Sequence, residues 1–339
     1  MGVAAIVVGT LAVIGLGVGM LSAQHSAAEK RLAAWKAVAV RRGARFDEGH
    51  RAKYAAQPYA HGVIEARVAQ ATVKLDLHSD ALGSSKSVYT RARARFVLGA
   101  GPRFRATAAG VLADVGRSLG FQDVPLGDEA FDHMFIVTGE DPSGIKAAFS
   151  LRTQATLARS LPVATVSSDG HEVTLHTLGA RTLGLDEMLD VVGALASVGA
   201  DGLDALAAAL PDATLTPAAG TWEAPTPPLL TIPTTHGNAR ATVYWWRGGP
   251  RVSLTLPLPR ELPAFRVVIK DGQAEGVPTG LLSDYGLRLL IELPGALVES
   301  RAQQLELRWL GIPEPTAFTS GVNLLADIAS SVHRTGAFR

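Results

Sequence analysis

The chain opens on a run with no polar face. Residues 1–28 contain no Asp, Glu, Lys or Arg, and residues 3–21 are Val, Ala, Ile, Gly, Leu and Met interrupted only by Thr10. A helix needs ~20 apolar residues at about 1.5 Å rise each to cross a bilayer, and this run supplies them. Lipid forces the backbone to bond to itself, so a helix is expected despite the glycines. Two rival readings are weaker. A cleaved signal peptide carries a basic start and a shorter apolar core, and neither is present, although Ser26-Ala27-Ala28 resembles a cleavage patch. A buried core helix is disfavoured by the position of the run at the N-terminus and its lack of any polar face. Lys30, Arg31, Lys36, Arg41, Arg42 and Arg45 follow the run against Glu29 and Asp47. The positive-inside rule then puts the remainder of the chain in the cytoplasm. Gly15 and Gly19 form a G-x-x-x-G, read either as a seam for a second anchor, giving a homodimer, or as the ordinary glycine content of membrane helices.

Beyond the anchor the period changes to that of an amphipathic helix over 26–42. Ser26 and Glu29 have capping-box spacing, and Leu32, Trp35, Val38 and Ala39 fall on one stripe. Two uses of that stripe compete. In one, the helix lies on headgroups, with Trp35, Lys36, Arg41 and Arg42 at the membrane interface. In the other it packs on the folded part. From residue 61 the alternation is that of strands. Ala71, Val73, Leu75 and Leu77 repeat every second position, and strands over 89–98 and 103–107 follow. A short helix is expected over 111–119 and a central strand over 131–138. Asp141-Pro142 starts a helix reaching about residue 161. A hairpin over 163–178 turns at Asp169-Gly170, and residues 185–210 are helical. Further strands are expected at 241–246, 251–258, 265–270, 286–293 and 304–310, with a closing helix over 317–333.

Between these stretches, residues 211–233 hold Pro211, Pro217, Pro225, Pro227, Pro228 and Pro233. Proline cannot donate to a ladder, so this is expected to be an extended linker or surface strap. The two flanking halves run in similar order. Phe104-Arg105 matches Phe265-Arg266, residues 131–138 match 287–294, and Glu172 to Gly179 matches Gln304 to Gly311. The helix after Asp141-Pro142 lacks a counterpart. The expected class is α+β: a transmembrane anchor at 1–23, a basic helix and connector at 24–60, two similar sheet-plus-helix units at 61–210 and 234–339, and the proline-rich linker at 211–233.

Composition narrows the chemistry. A formal charge of +1 provides no field for nucleic acid, and the absence of cysteine excludes disulfides and thiolate chemistry. No G-x-S-x-G, H-E-x-x-H, P-loop or G-x-G-x-x-G occurs. Arg91, Arg93 and Arg95 alternate with apolar residues, which places three guanidiniums on one strand face. They form either a receptor for an acidic partner, phosphate or lipid headgroup, or a solvated face. Trp245-Trp246 puts one ring on each side of a strand. In the stretch from Gly127 to Val137, Asp128, Asp132 and His133 are the candidates for a metal or catalytic cluster. As neighbours on a strand, Asp132 and His133 would point apart, so no metal, cofactor or catalytic group is assigned.

That same stretch, Gly127-Asp128-Glu-Ala-Phe131-Asp132-His-Met-Phe135-Ile-Val137, resembles a G-D-x-x-F-D-x-x-F-x-V signature. The signature is shared by a group of uncharacterised bacterial single-pass membrane-anchored proteins. The basic helix with Trp35 and the Leu119-Gly120-x-x-Asp123 segment are similar as well. The resemblance implies a bacterial inner membrane and a non-enzymatic role, and brings no activity with it. The leading expectation is a membrane-tethered interaction or scaffold protein with the bilayer and another protein as partners. The alternatives are a sensor or carrier of an anionic ligand or headgroup, and an enzyme using Asp128, Asp132 and His133.

Overall fold

A computed structural model of the chain describes residues 26–48, 62–82, 85–109, 123–210, 212–262, 264–270, 273–278 and 281–335. The expected anchor and the helix over 111–119 lie outside the described residues. Among the described residues no single helix is long and apolar enough to cross a membrane.

The chain is α+β, built on two eight-stranded antiparallel sheets. The first half supplies a helix over 26–41 (α1), β1 (Arg45–Asp47), β2 (Val63–Val68), β3 (Ala71–Leu82), β4 (Ser85–Arg95) and β5 (Arg103–Ala108). There follow α2 (Glu129–Met134), β6 (Phe135–Gly139), α3 (Pro142–Ala148), α4 (Leu151–Ser160), β7 (Thr165–Asp169), β8 (Glu172–Leu178) and α5 (Leu185–Ala196). A 3-10 turn (Ala200–Leu203) and α6 (Asp204–Ala208) lead into the second half. That half contains β9 (Thr214–Thr216), β10 (Ala219–Gly220), β11 (Pro225–Thr226), β12 (Leu229–Thr234), β13 (Gly237–Trp246), β14 (Gly249–Pro257), β15 (Arg266–Lys270) and β16 (Gln273–Glu275). It closes with α7 (Asp284–Ile291), β17 (Ala296–Arg301), β18 (Gln304–Trp309) and α8 (Pro315–Thr335).

The sheets run β1-β2-β3-β4-β8-β7-β5-β6 and β9-β12-β13-β14-β18-β17-β15-β16, which is one order used twice. The registers agree as well. One row across the first sheet reads Phe46, Ile64, Leu75, Ala92, Leu175, Val166, Ala106. The matching row of the second reads Leu215, Leu230, Ala241, Leu254, Leu307, Val298, Val267. Phe104 and Phe265 each precede the last residue of these rows by two, and Leu175 and Leu307 are each the fourth residue of Glu172–Leu178 and Gln304–Trp309. Both sequence matches therefore hold at the level of register.

Each sheet alternates inward apolar and outward polar positions, as in the buried–exposed pattern of β8, and one face takes the helices. In the first sheet α5 lies over β2, β3, β4 and β8. In the second α8 lies over β14 and β18. A glycine marks each crossing. A Cβ on Gly193 would come within 2.5 Å of Val68, and one on Gly321 within 2.6 Å of Leu307, so each helix approaches the sheet closer than any larger residue allows.

Four expectations are corrected. The stretch over 131–138 begins as helix α2 and becomes strand only at Phe135. The stretch over 286–293 is helix α7, capped by Ser283, whose hydroxyl accepts from the Gly286 amide at 3.0 Å. It therefore answers α4, the helix before β7, and not residues 131–138; the second half does have a counterpart to a helix following Asp141-Pro142. The proline-rich segment is not a ladder-free linker, because β12 pairs with β13 along its length and β9 pairs with β12. Finally, α1 and β1 belong to the first unit: Trp35, Val38 and Ala39 are in its core, and β1 pairs with β2.

Candidate functional site

α1 reaches the fold through its predicted stripe. Trp35 is 2% exposed and its indole Nε1 donates to the Arg181 carbonyl at 2.9 Å. Arg42 spans two carboxylates at the start of α5, donating to Asp186 at 2.7 Å and to Asp190 at 2.7 and 3.0 Å. Arg41 adds a 2.5 Å pair to Asp186. Burial pushes the Asp186 carboxyl up, but the two guanidiniums outweigh it and hold the group below the usual carboxylate range. The hydrogen bonds that Arg42 donates to Asp190 and Asp186 raise its own pKa further. Of the expected membrane-interface set, Trp35 and Arg42 are thus committed to the protein. Lys36 and Arg41 keep exposed side chains, with Lys36 3.4 Å from Glu48.

The Gly127–Val137 signature is a capping device. Asp128 is the N-cap of α2, accepting from the Ala130 and Phe131 amides at 3.1 and 3.2 Å. Asp132 turns back to accept from the Leu126 and Gly127 amides, both at 3.0 Å. Phe131 and Phe135, one helical turn apart, stack at 4.9 Å and 7°. His133 points to solvent. The three side chains do not converge, and no group of three or more His, Asp or Glu suited to a metal occurs among the described residues.

The outer, helix-free face of the first sheet carries the expected arginines. Asp76, on the neighbouring strand, accepts from Arg91 at 2.9 and 3.0 Å and from Arg93 at 3.3 Å. Arg95 is exposed, and its cross-strand neighbour is Glu172. The face is covered in part by the chain itself. The β10–β11 hairpin lies across it, with the Ala218 carbonyl accepting from Arg67 and the Gly220 carbonyl from Thr72 at 3.1 Å. At the tip of the hairpin, the Trp222 ring sits 4.8 Å from the Lys74 ammonium and 4.3 Å from the Arg93 guanidinium. Two of the three arginines are therefore engaged within the chain: Arg91 by Asp76, and Arg93 by Asp76 and by the ring of a tryptophan-bearing segment.

The equivalent face of the second sheet has no such cover among the described residues. It bears an open groove of about 630 Å³ whose walls include Tyr244, Trp246, Arg251, Leu297, Leu310 and Arg308. Trp246 is 51% and Leu310 70% exposed, whereas Trp245, on the other side of the strand, is partly buried and packed against the core. Across the floor, Glu306 accepts from Arg308 at 2.7 and 2.6 Å and from the Ser253 hydroxyl at 2.7 Å. Arg308 above all, then Ser253, hold Glu306 below the usual carboxylate range against the effect of burial. Arg308 also approaches Glu299 at 3.3 Å. Register places Arg240 where the first sheet has Lys74, since Arg240 pairs with Thr255 as Lys74 does with Arg93. Sequence reading singled out Trp246 but missed the groove. The signals were the outward parity of Tyr244 and Trp246, and of Arg251 on the next strand.

Comparison with family models, curated proteins and solved structures finds no match to the chain.

Proposed function

We propose that the chain is a membrane-tethered interaction module made of two copies of one α+β unit. Residues 1–23 hold it in a bacterial inner membrane with the folded part in the cytoplasm, and the outer face of the second sheet receives a protein partner. The observation carrying this reading is internal. Two sheets of identical order and register present the same outer face, and on the first that face already grips a polypeptide segment. The second presents exposed aromatic and aliphatic side chains around a groove, the composition that marks interface cores. The apolar run and the basic residues after it support the tether and its orientation. The rival readings have less support, since Arg91 and Arg93 are engaged by Asp76 and Trp222, and Asp128 and Asp132 by backbone amides.

The test is a photo-cross-linking amino acid at position 246 of the full chain in living cells. A discrete protein adduct in the membrane fraction is expected, with none from the same probe at the solvent-facing His133. Failure to form any protein adduct at 246 overturns the interaction reading.

A further inference from the structure

The groove's occupant can be specified by chemistry, on the footing of the interaction reading above. We propose that the outer face of the second sheet binds an extended, acidic peptide segment bearing an aromatic side chain, of the kind the chain itself lays across the first sheet. The internal segment shows how such a face is used. Residues 217–226 read Pro-Ala-Ala-Gly-Thr-Trp-Glu-Ala-Pro-Thr. Its backbone carbonyls accept from outward side chains, its indole lies on two cations, and Glu223 follows the ring directly.

The second face offers comparable elements, one of the two cations included, and among the described residues no segment lies across it. Arg240 stands in register where Lys74 serves Trp222. Thr242 offers a hydroxyl along the groove, as Thr72 does on the first sheet, whereas the Ser253 and Thr255 hydroxyls already donate to Glu306 and to the Arg240 carbonyl. Tyr244, Trp246, Leu297 and Leu310 add apolar walls that an aromatic ring can fill. Charge complementarity sets the sign of the partner. Glu299 and Glu306 are taken up by Arg266, Arg301 and Arg308, whereas Arg240, Arg247 and Arg251 form no ion pair among the described residues. The guanidinium of Arg247 already lies 5.6 Å from the Trp246 ring, so cation and aromatic are paired on the wall itself. A segment with a carboxylate beside its ring meets both, whereas a basic segment would bring like charges together.

The probe is a synthetic peptide of residues 214–228, titrated against the full chain in detergent with its own hairpin in place. Saturable one-to-one binding is expected, weakening with salt. Trp246→Ala and Arg251→Glu should each weaken it about tenfold, as should replacing the peptide's tryptophan by alanine. Both substitutions are on the outer face, and circular dichroism checks that the variants fold. Arg93→Ala should leave the affinity unchanged. No saturable binding, binding indifferent to Trp246 and Arg251, or binding lost with Arg93→Ala because the peptide merely displaces the internal hairpin, would each overturn the proposal. The cross-linked adduct at position 246 separates this failure from that of the broader reading. A protein adduct that the peptide does not compete away leaves the interaction module standing and removes the ligand class. An adduct of twice the chain's mass, or one with lipid alone, names a second copy or the bilayer as occupant and also overturns the proposal.

Discussion

Phe131 and Phe135 are four positions apart, a spacing that puts side chains on one face of a helix and on one face of a strand alike. The sequence around them is therefore ambiguous by period. What decides it is Asp128, a carboxylate that satisfies two otherwise unpaired amides at the start of α2. The rings then stack, fully buried, with Phe149 tilted 6.2 Å from Phe131 and Phe104 packed edge-on to Phe149 at 4.9 Å. Phe135→Ala would leave a cavity that rigid neighbours cannot close. It is expected to destabilise by ~3–5 kcal/mol in urea unfolding. A cost below about 1 kcal/mol would mean that the cluster can collapse around the gap. At this scale the core residues were legible from the sequence, since burial follows apolarity either way. The roles of Asp128 and Asp132 were not, because a carboxylate reads equally as ligand or cap until the backbone it faces is known.

At the scale of elements, strands with strict alternation were legible, as at β3, β8 and β18, and so were helices with a long stripe, as at α1 and α8. Three kinds of element were not. In α7 the run Leu-Arg-Leu-Leu-Ile is too short to separate the periods. β12 contains Pro233, and the nearby prolines masked a strand whose ladder tolerates one. The outer role of α1 was undecidable because one stripe serves membrane and protein equally, and only the partners across space, Asp186 and Asp190, settle it. Those partners make a pH prediction. The folded pKa of Asp186 lies below its unfolded value of about 3.9, so its contribution is complete above that pH and is lost as pH falls through the folded value. Hydrogen exchange over residues 26–41 should therefore stay slow from neutrality to about pH 4 and quicken below it, relative to α5. Asp186→Asn should remove that acid step and quicken exchange at pH 7 as well. An α1 equally protected in the variant would show that the Trp35, Val38 and Ala39 contacts alone hold the helix.

At the scale of the whole molecule the repeat was legible through two short matches, Phe104 with Phe265 and Glu172 with Gln304, whose offsets differ. The difference reflects the residues inserted between β5 and β7, where the first unit carries α2 and α3 and the second does not. The way the units join was not legible, because no sequence pattern says which faces meet. Gly199 packs on Pro250, a Cβ there coming within 2.6 Å of its ring, and Ile312 packs on Gly202. The β10–β11 hairpin of the second unit clasps the outer face of the first. Buried side chains from both sheets form one continuous cluster. Each sheet has its own helix layer, so each could retain a core alone. The shared packing nonetheless couples them, since separating the units exposes Pro250, Ile312 and Trp222 together. The full chain should accordingly melt in one transition, with calorimetric and van't Hoff enthalpies in agreement. Trp222→Ala removes the aromatic part of the clasp without touching either core. It should split the melt into two transitions or lower the van't Hoff enthalpy below the calorimetric one. Two transitions already present in the unaltered chain would mean that the clasp and the glycine contacts join the units without coupling their stability.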